Sequence, residues 1–266
     1  MDLPYHPLDV LQNNGIATID MLRDADLDLR VAACPDWTLG DLAHHLGATW
    51  HFWGRLLDEG ITDRADLQRL EAPSRPTGDL LIDWLGITHN ELFSALTAAP
   101  LDTAVWTWTG APRDAAWVRR RMAIETSIHR WDVANAIGVS YAVPTAIAAD
   151  GIDEFLTWFA ARERREGEMK VGGTVHLHCT DTDTDTDTGT GTGTGDVAGG
   201  EWFISSMKEP AATFTREHRK GDAAVRGSAH DLLLWLWRRD DRLSDGVEII
   251  GKDVVARRFR AFTDLD

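Results

Sequence analysis

The chain has 266 residues, 43% of them hydrophobic and 26% charged, enough for one large domain or two ordinary ones with a real core. Its 43 acidic side chains against 27 basic ones give a net charge of −16, which argues against nucleic acid or an anionic membrane as the main partner, since both reward basic patches. A small anionic substrate remains open, because it responds to the local field. Cys34 and Cys179 are the only cysteines and lie far apart, so neither a disulfide framework nor a Cys-rich metal site is indicated. The first residues carry no basic stretch followed by an apolar one, and the strongest apolar run, Leu232 to Trp237, is far too short to span a bilayer. A cytoplasmic protein is the expectation.

From residue 1 to about 160 the pattern is helical. Segments 8–30, 38–58, 78–98 and 116–137 each repeat apolar residues at i, i+3 and i+4, and four helices of that length predict a bundle. The second has a clear start: Thr38 can cap it, Asp41 completes a T-x-x-D capping box, and Pro35 keeps the preceding chain extended. A fifth helix over 145–165 ends in a charged run and Gly167. Beyond it, Thr174 to Cys179 alternates as a strand, Glu201 to Ser205 reads as its partner, and 223–227 and 247–251 as two more, with helices over 229–239 and 252–262. The expected architecture is a helical domain over 1–166 and a small α+β domain over 167–266. Residues 180–196, a Thr/Asp/Gly tract, have no apolar face and read as a dispensable hairpin loop. Asp183, Asp185 and Asp187 fail the EF-hand pattern, with Thr188 at the glycine position and no Glu at position twelve. Twelve tryptophans, among them Trp50, Trp53, Trp84, Trp235 and Trp237, read as core or interface anchors.

The chemistry centres on Glu125 and His129. Four residues is just over one helical turn, so the two project from one face and can grip a divalent metal. A third ligand from another helix would complete a site with an open position. His44, His45 and His51 share the second helix. Its apolar stripe runs through Leu39, Leu42, Leu46, Trp53 and Leu57; His45 sits on the shoulder of that stripe, whereas His44 and His51 are expected to meet solvent. Asp132 is a candidate supporting group. Arg121, one turn before Glu125, could pair with it as an ordinary helix ion pair instead.

The segment Cys34-Pro35-Asp36-Trp37-Thr38-Leu39-Gly40-Asp41-Leu42-Ala43-His44-His45-Leu46-Gly47 resembles the C-P-x-W-T-x-x-D-L-x-x-H-L-G of the mycothiol-dependent maleylpyruvate isomerase family. Arg120 to Asp132 resembles that family's R-R-M-A-H-E-x-x-x-H-R-W-D, and the T-V-H-L-H strand, the G-E-W strand and the segment Gly227 to Trp237 are similar to its C-terminal part. The resemblance covers nearly the whole chain. It implies a DinB-like four-helix bundle followed by a C-terminal domain related to sterol carrier protein folds, in an actinobacterial setting. It also implies zinc, or another divalent metal, on His45, Glu125 and His129, with mycothiol as cosubstrate. One departure stands out: Ile124 replaces a His that often precedes the Glu.

A thiol reaching such a metal is stabilised as thiolate. It could add to an activated double bond and be expelled after rotation, a cis–trans isomerisation, or stay on a small electrophile, an S-transfer. His45, Glu125 and His129 are therefore the candidate catalytic as well as metal residues, and Arg121 and Arg130 candidates for holding the thiol or a substrate carboxylate, as are Arg119 and Arg120; solvated helix faces and ion pairs are the competing reading. The protein is expected to act as a monomer or homodimer on small molecules. The alternatives are a metal- or thiol-binding protein without turnover and a DinB-like non-haem iron enzyme.

Overall fold

The computed structural model describes residues 3–111, 113–160, 171–182, 199–205, 212–239 and 246–262. The chain forms two compact units, Tyr5–Ala142 and one running from Val143.

The first unit holds four long helices: α1 (Pro7–Arg23), α2 (Leu39–Asp58), α3 (Asp79–Ala98) and α4 (Ala115–Ala136). Helices α1 and α2 each pack against both α3 and α4. This is the expected bundle. The first helix is shorter than its periodicity suggested, because the Asp26 side chain accepts a hydrogen bond from Asp28 N at 3.0 Å and turns the chain. The start of α2 is as expected: Asp41 N donates to Thr38 Oγ1 at 3.2 Å and Thr38 N donates to Asp41 Oδ2 at 2.8 Å. Leu39, Leu42, Leu46, Trp50 and Leu56 of α2 are fully buried, each leucine contributing about 1.5–3 kcal/mol. Trp84 lies flat against this helix only because residue 47 is glycine; a Cβ there would sit 2.3 Å from the indole.

In this unit two short features were not foreseen, the 3-10 helix Arg64–Arg69 and a small antiparallel pair, β1 (Ala104–Val105) with β2 (Arg113–Asp114). Two-residue strands carry no alternation to read. Asp114 then accepts from Trp117 N at 2.8 Å and starts α4.

In the second unit, α5 (Thr145–Phe155) runs into a π-helical turn, Leu156–Ala160, and packs against α6 (Ala229–Leu236). The expected boundary at 166 thus differs from the division at Ala142/Val143: α5 buries its apolar side with the C-terminal part, a partnership that periodicity does not reveal. The end expected for this helix, 161–167, lies outside the described residues. A five-stranded sheet has the order β5-β4-β3-β6-β7, from β3 (Thr174–Cys179), β4 (Glu201–Ser205), β5 (Thr213–Thr215), β6 (Ala223–Gly227) and β7 (Val247–Gly251). Neighbours are antiparallel except β3 and β6. Helices α6 and α7 (Asp253–Phe262) pack on β3, β6 and β7. Val175 and Leu177 face the core, opposite Ile204 and Trp202 on one side and Ala223 and Val225 on the other. The period of two puts His176 and His178 on the other face.

The low-complexity tract lies largely outside the described residues. Its first part does not: Asp181 accepts from Ala229 N at 2.8 Å and from Thr145 Oγ1 at 2.9 Å, at the first residues of α6 and α5. The reading of 180–196 as a dispensable loop did not foresee these partners of Asp181. Of the tryptophans, Trp50, Trp53, Trp202, Trp235 and Trp237 are buried, and Trp84 is half-buried. Both cysteines are free thiols, and burial pushes the Cys179 thiol up to about 12. Among the described residues no helix is long and apolar enough to cross a membrane.

Candidate metal centre

Helix α4 is buried continuously from Arg120 to His129, through polar as well as apolar positions. Such a helix needs partners for its polar side chains. They are present on both flanks: Asn14 Nδ2 donates to Ser127 Oγ at 2.7 Å, and Trp50 Nε1 donates to Thr126 Oγ1 at 3.2 Å. The next polar pair along the helix, Glu125 and His129, meets His45 of α2.

Three donor groups converge there. His45 Nε2 is 3.3 Å and His129 Nε2 3.2 Å from the same oxygen, Glu125 Oε1. The rings of His45 and His129 are 5.0 Å apart and nearly perpendicular. One donor atom from each of the three residues fits within a 4.8 Å span. The other carboxylate oxygen, Glu125 Oε2, accepts from Arg121 Nη2. The ion pair with Arg121, the competing reading in the sequence, thus forms without drawing Glu125 away from the two histidines, because the two oxygens of one carboxylate serve different partners.

His129 is held from behind. Its Nδ1 donates to Asp132 Oδ2 at 2.9 Å, which fixes the ring and leaves Nε2 toward Glu125. Burial alone would lower the His129 pKa, but the Glu125 and Asp132 carboxylates outweigh it and raise it. Burial alone would likewise raise Glu125, yet Arg121 and the two histidines hold its carboxyl well below the usual range. Both directions express one fact: this pocket stabilises a positive charge beside a negative one. Access comes from the α2 side, where the His45 side chain is 36% exposed against 5% for His129. The Trp37 ring packs 5.0 Å from His45.

Two nitrogens and one oxygen in an open triangle suit a divalent metal such as zinc, which takes His and carboxylate ligands and can keep a fourth position free. The electrostatics also fit: the carboxylates that favour a proton on His129 would equally favour a divalent cation, and with Nδ1 committed to Asp132 it is Nε2 that would offer its lone pair to the metal.

Other expected residues fare differently. His44 does not meet solvent; it stacks on Trp84 at 5.6 Å, its Nε2 is buried without a hydrogen-bond partner, and burial lowers its pKa. His51 is also half-buried, 4.0 Å from Glu91. The predicted stripe was too narrow, because α2 packs between two helices. Arg119 donates to the carbonyls of Leu96 and Ala99, at the end of α3. Arg130 donates to Asn14 Oδ1 at 2.7 Å and lies 4.1 Å over the Tyr141 ring. Ile124 is completely buried. A cleft of about 870 Å³ is lined by residues including His51, Phe52 and Trp84, but by none of the three converging groups.

A four-helix bundle carrying a His/Glu/His cluster, followed by a small α+β unit, is the architecture expected of a DinB-like protein with an appended C-terminal domain. Residues 11–134 match the mycothiol maleylpyruvate isomerase N-terminal domain, and residues 146–258 match the MDMPI C-terminal domain. The chain belongs to the mycothiol-dependent maleylpyruvate isomerase family. Among solved structures it is similar to a mycothiol-dependent maleylpyruvate isomerase at 16% identity, over 91% of each chain and with a TM-score of 0.57. It matches a histidine-to-alanine mutant of a mycothiol-dependent maleylpyruvate isomerase at 15% identity, with the same coverage and TM-score. A search of curated proteins returns no match.

Proposed function

We propose that the chain is a metal-dependent enzyme that uses mycothiol as its thiol cosubstrate, with zinc on His45, Glu125 and His129. The observation that carries this reading is the convergence of two imidazole nitrogens on Glu125 Oε1, at 3.3 and 3.2 Å. Bound there, zinc would supply the positive charge that keeps a thiol deprotonated near neutral pH. Asp132 sets the His129 tautomer, Arg121 orients Glu125, and the exposed flank of His45 leaves a path for a small thiol. We assign Arg121 to positioning Glu125, since its Nη2 donates to that carboxylate, and leave Arg130 to the Asn14 and Tyr141 contacts that occupy it. The thiolate would attack a small electrophile, with cis–trans isomerisation or S-transfer as the outcome according to whether the thiol is expelled.

The test is metal analysis of protein purified without added metal, followed by a mycothiol-consumption and isomerisation assay over a panel of electrophiles. Activity should vanish without mycothiol and return when mycothiol alone is restored. It should survive Cys34→Ser, because that thiol is not among the converging groups. Turnover with no thiol present would overturn the mechanism, and iron in place of zinc would redirect it to oxygen chemistry.

A further inference from the structure

A second cluster of metal-ligating side chains lies in the C-terminal unit: His176, His178, Glu201 and His218, each offering one donor atom, all within 4.8 Å of one another. Sheet register builds it. His178 is the direct cross-strand partner of Glu201, and His176 stands two residues earlier on the same face of β3. His218 comes from the segment after β5, which pairs with β4 through Phe203 and Thr215. That segment is pinned by Arg219, whose guanidinium lies 4.2 Å over the Phe203 ring.

We infer that this cluster is a second divalent-metal site, of the closed, structural kind, selective for zinc or a similar borderline cation. Three imidazoles and one carboxylate make a complete four-ligand set, which leaves no position for a substrate. Such ligands sit about 3.3 Å apart around a tetrahedral zinc. His218 Nδ1 already lies 2.9 Å from each Glu201 oxygen, and His178 Nδ1 contacts Oε1 of the same carboxylate. The His176 and His218 rings are 5.0 Å apart. An independent sign is His176: the residue is 6% exposed, and its Nε2 is buried with no hydrogen-bond partner, a costly state for a polar atom unless something else binds the ring. The charge also suits a cation. As ligands, three imidazoles and one carboxylate would carry a single negative charge, so a divalent ion there leaves a net charge of only about +1. The side chain of His218 is 75% exposed, so it is free to close onto the ion. The metal would tie the 216–219 segment to the sheet.

The site shares no residue with His45, Glu125 and His129, so the two metal assignments can be separated. Full-length protein stripped with a chelator and titrated with zinc should bind two equivalents per chain. His218→Ala, at an exposed position that does not threaten folding, and Glu201→Gln should each bind one; His45→Ala should bind one; the His45→Ala/His218→Ala pair should bind none; His6→Ala should still bind two. Cobalt loaded into His45→Ala should show the intense visible bands of a tetrahedral site, and zinc should raise the melting temperature of that variant but not of the double variant. One equivalent that His218→Ala removes and His45→Ala retains would leave this inference standing and overturn the bundle site. Zinc binding that is the same in wild type and His218→Ala overturns the second site.

Discussion

The two histidine–carboxylate clusters of this chain are built by different means. In the bundle, Glu125 and His129 are one helical turn apart, and only His45 comes from a distance. The geometry is local, buried and braced by Asp132 and Arg121. In the C-terminal unit, β3, β4 and the segment after β5 each supply part of the cluster, and its last member is mostly exposed. The first keeps one side open and suits chemistry; the second completes its own ligand set and suits anchoring. Ligand type is nearly the same in both, so the number of protein donors and the access to them separate the roles.

The strongest way to break this comparison is to remove a ligand from the braced site. His129→Ala should eliminate the bundle's metal equivalent and the activity with it, whereas His44→Ala and His51→Ala should leave metal content unchanged. Full occupancy of the bundle site in His129→Ala would sink the assignment. Asp132→Asn tests the brace alone. It preserves shape but weakens the hold on His129 Nδ1, and metal affinity should fall about 10–100-fold in a competition titration with a chelator. An unchanged affinity would mean that Asp132 serves packing only.

Smaller effects sharpen the contrast between the hydrogen-bonded start of the low-complexity tract and the rest of its sequence. Asp181→Ala removes the acceptor for Ala229 N and for Thr145 Oγ1 and should cost about 1–2 kcal/mol by denaturant unfolding. Replacing 183–196 with a short glycine-containing turn should cost less than that, since the tract offers no apolar face. The opposite ranking would show that the tract has a structural part.

The smallest effect concerns how α2 is started, and hence how His45 is presented. The backbone N–H of Thr38, the Arg75 guanidinium and the Thr38 hydroxyl hold the Asp41 carboxyl down at about 2 from its ordinary 3.8. A depressed carboxylate stabilises the fold above its unfolded value and loses that contribution as pH falls through the folded one. The stability advantage of wild type over Asp41→Asn should therefore be constant from pH 5 to 7 and fade between about pH 4 and pH 2. At this partly exposed position it should amount to about 1 kcal/mol or less. A difference that does not change with pH would mean the carboxylate is not held by these contacts.

Much of this was legible beforehand because it is written in short-range periods. Helical spacing placed Glu125 beside His129, the T-x-x-D box set the start of α2, and alternation put Val175 and Leu177 on one face with His176 and His178 on the other. The shoulder position of His45 was legible too, as was the pairing of β3 with β4. The two-residue strands and the early end of α1 were not, since turns such as that at Asp26 depend on single side chains.

What tertiary structure alone decided is which distant groups share a space. Period and propensity are properties of one segment. They could not say that Glu125 serves Arg121 with one oxygen and two histidines with the other, or that α5 joins the C-terminal unit. Nor could they bring His218 to Glu201, because that contact depends on strand order and register across the intervening chain. Buried polar groups settle such matters. Once Glu125 and His129 are withdrawn from water, their charges and hydrogen bonds can be satisfied only by partners that the fold delivers.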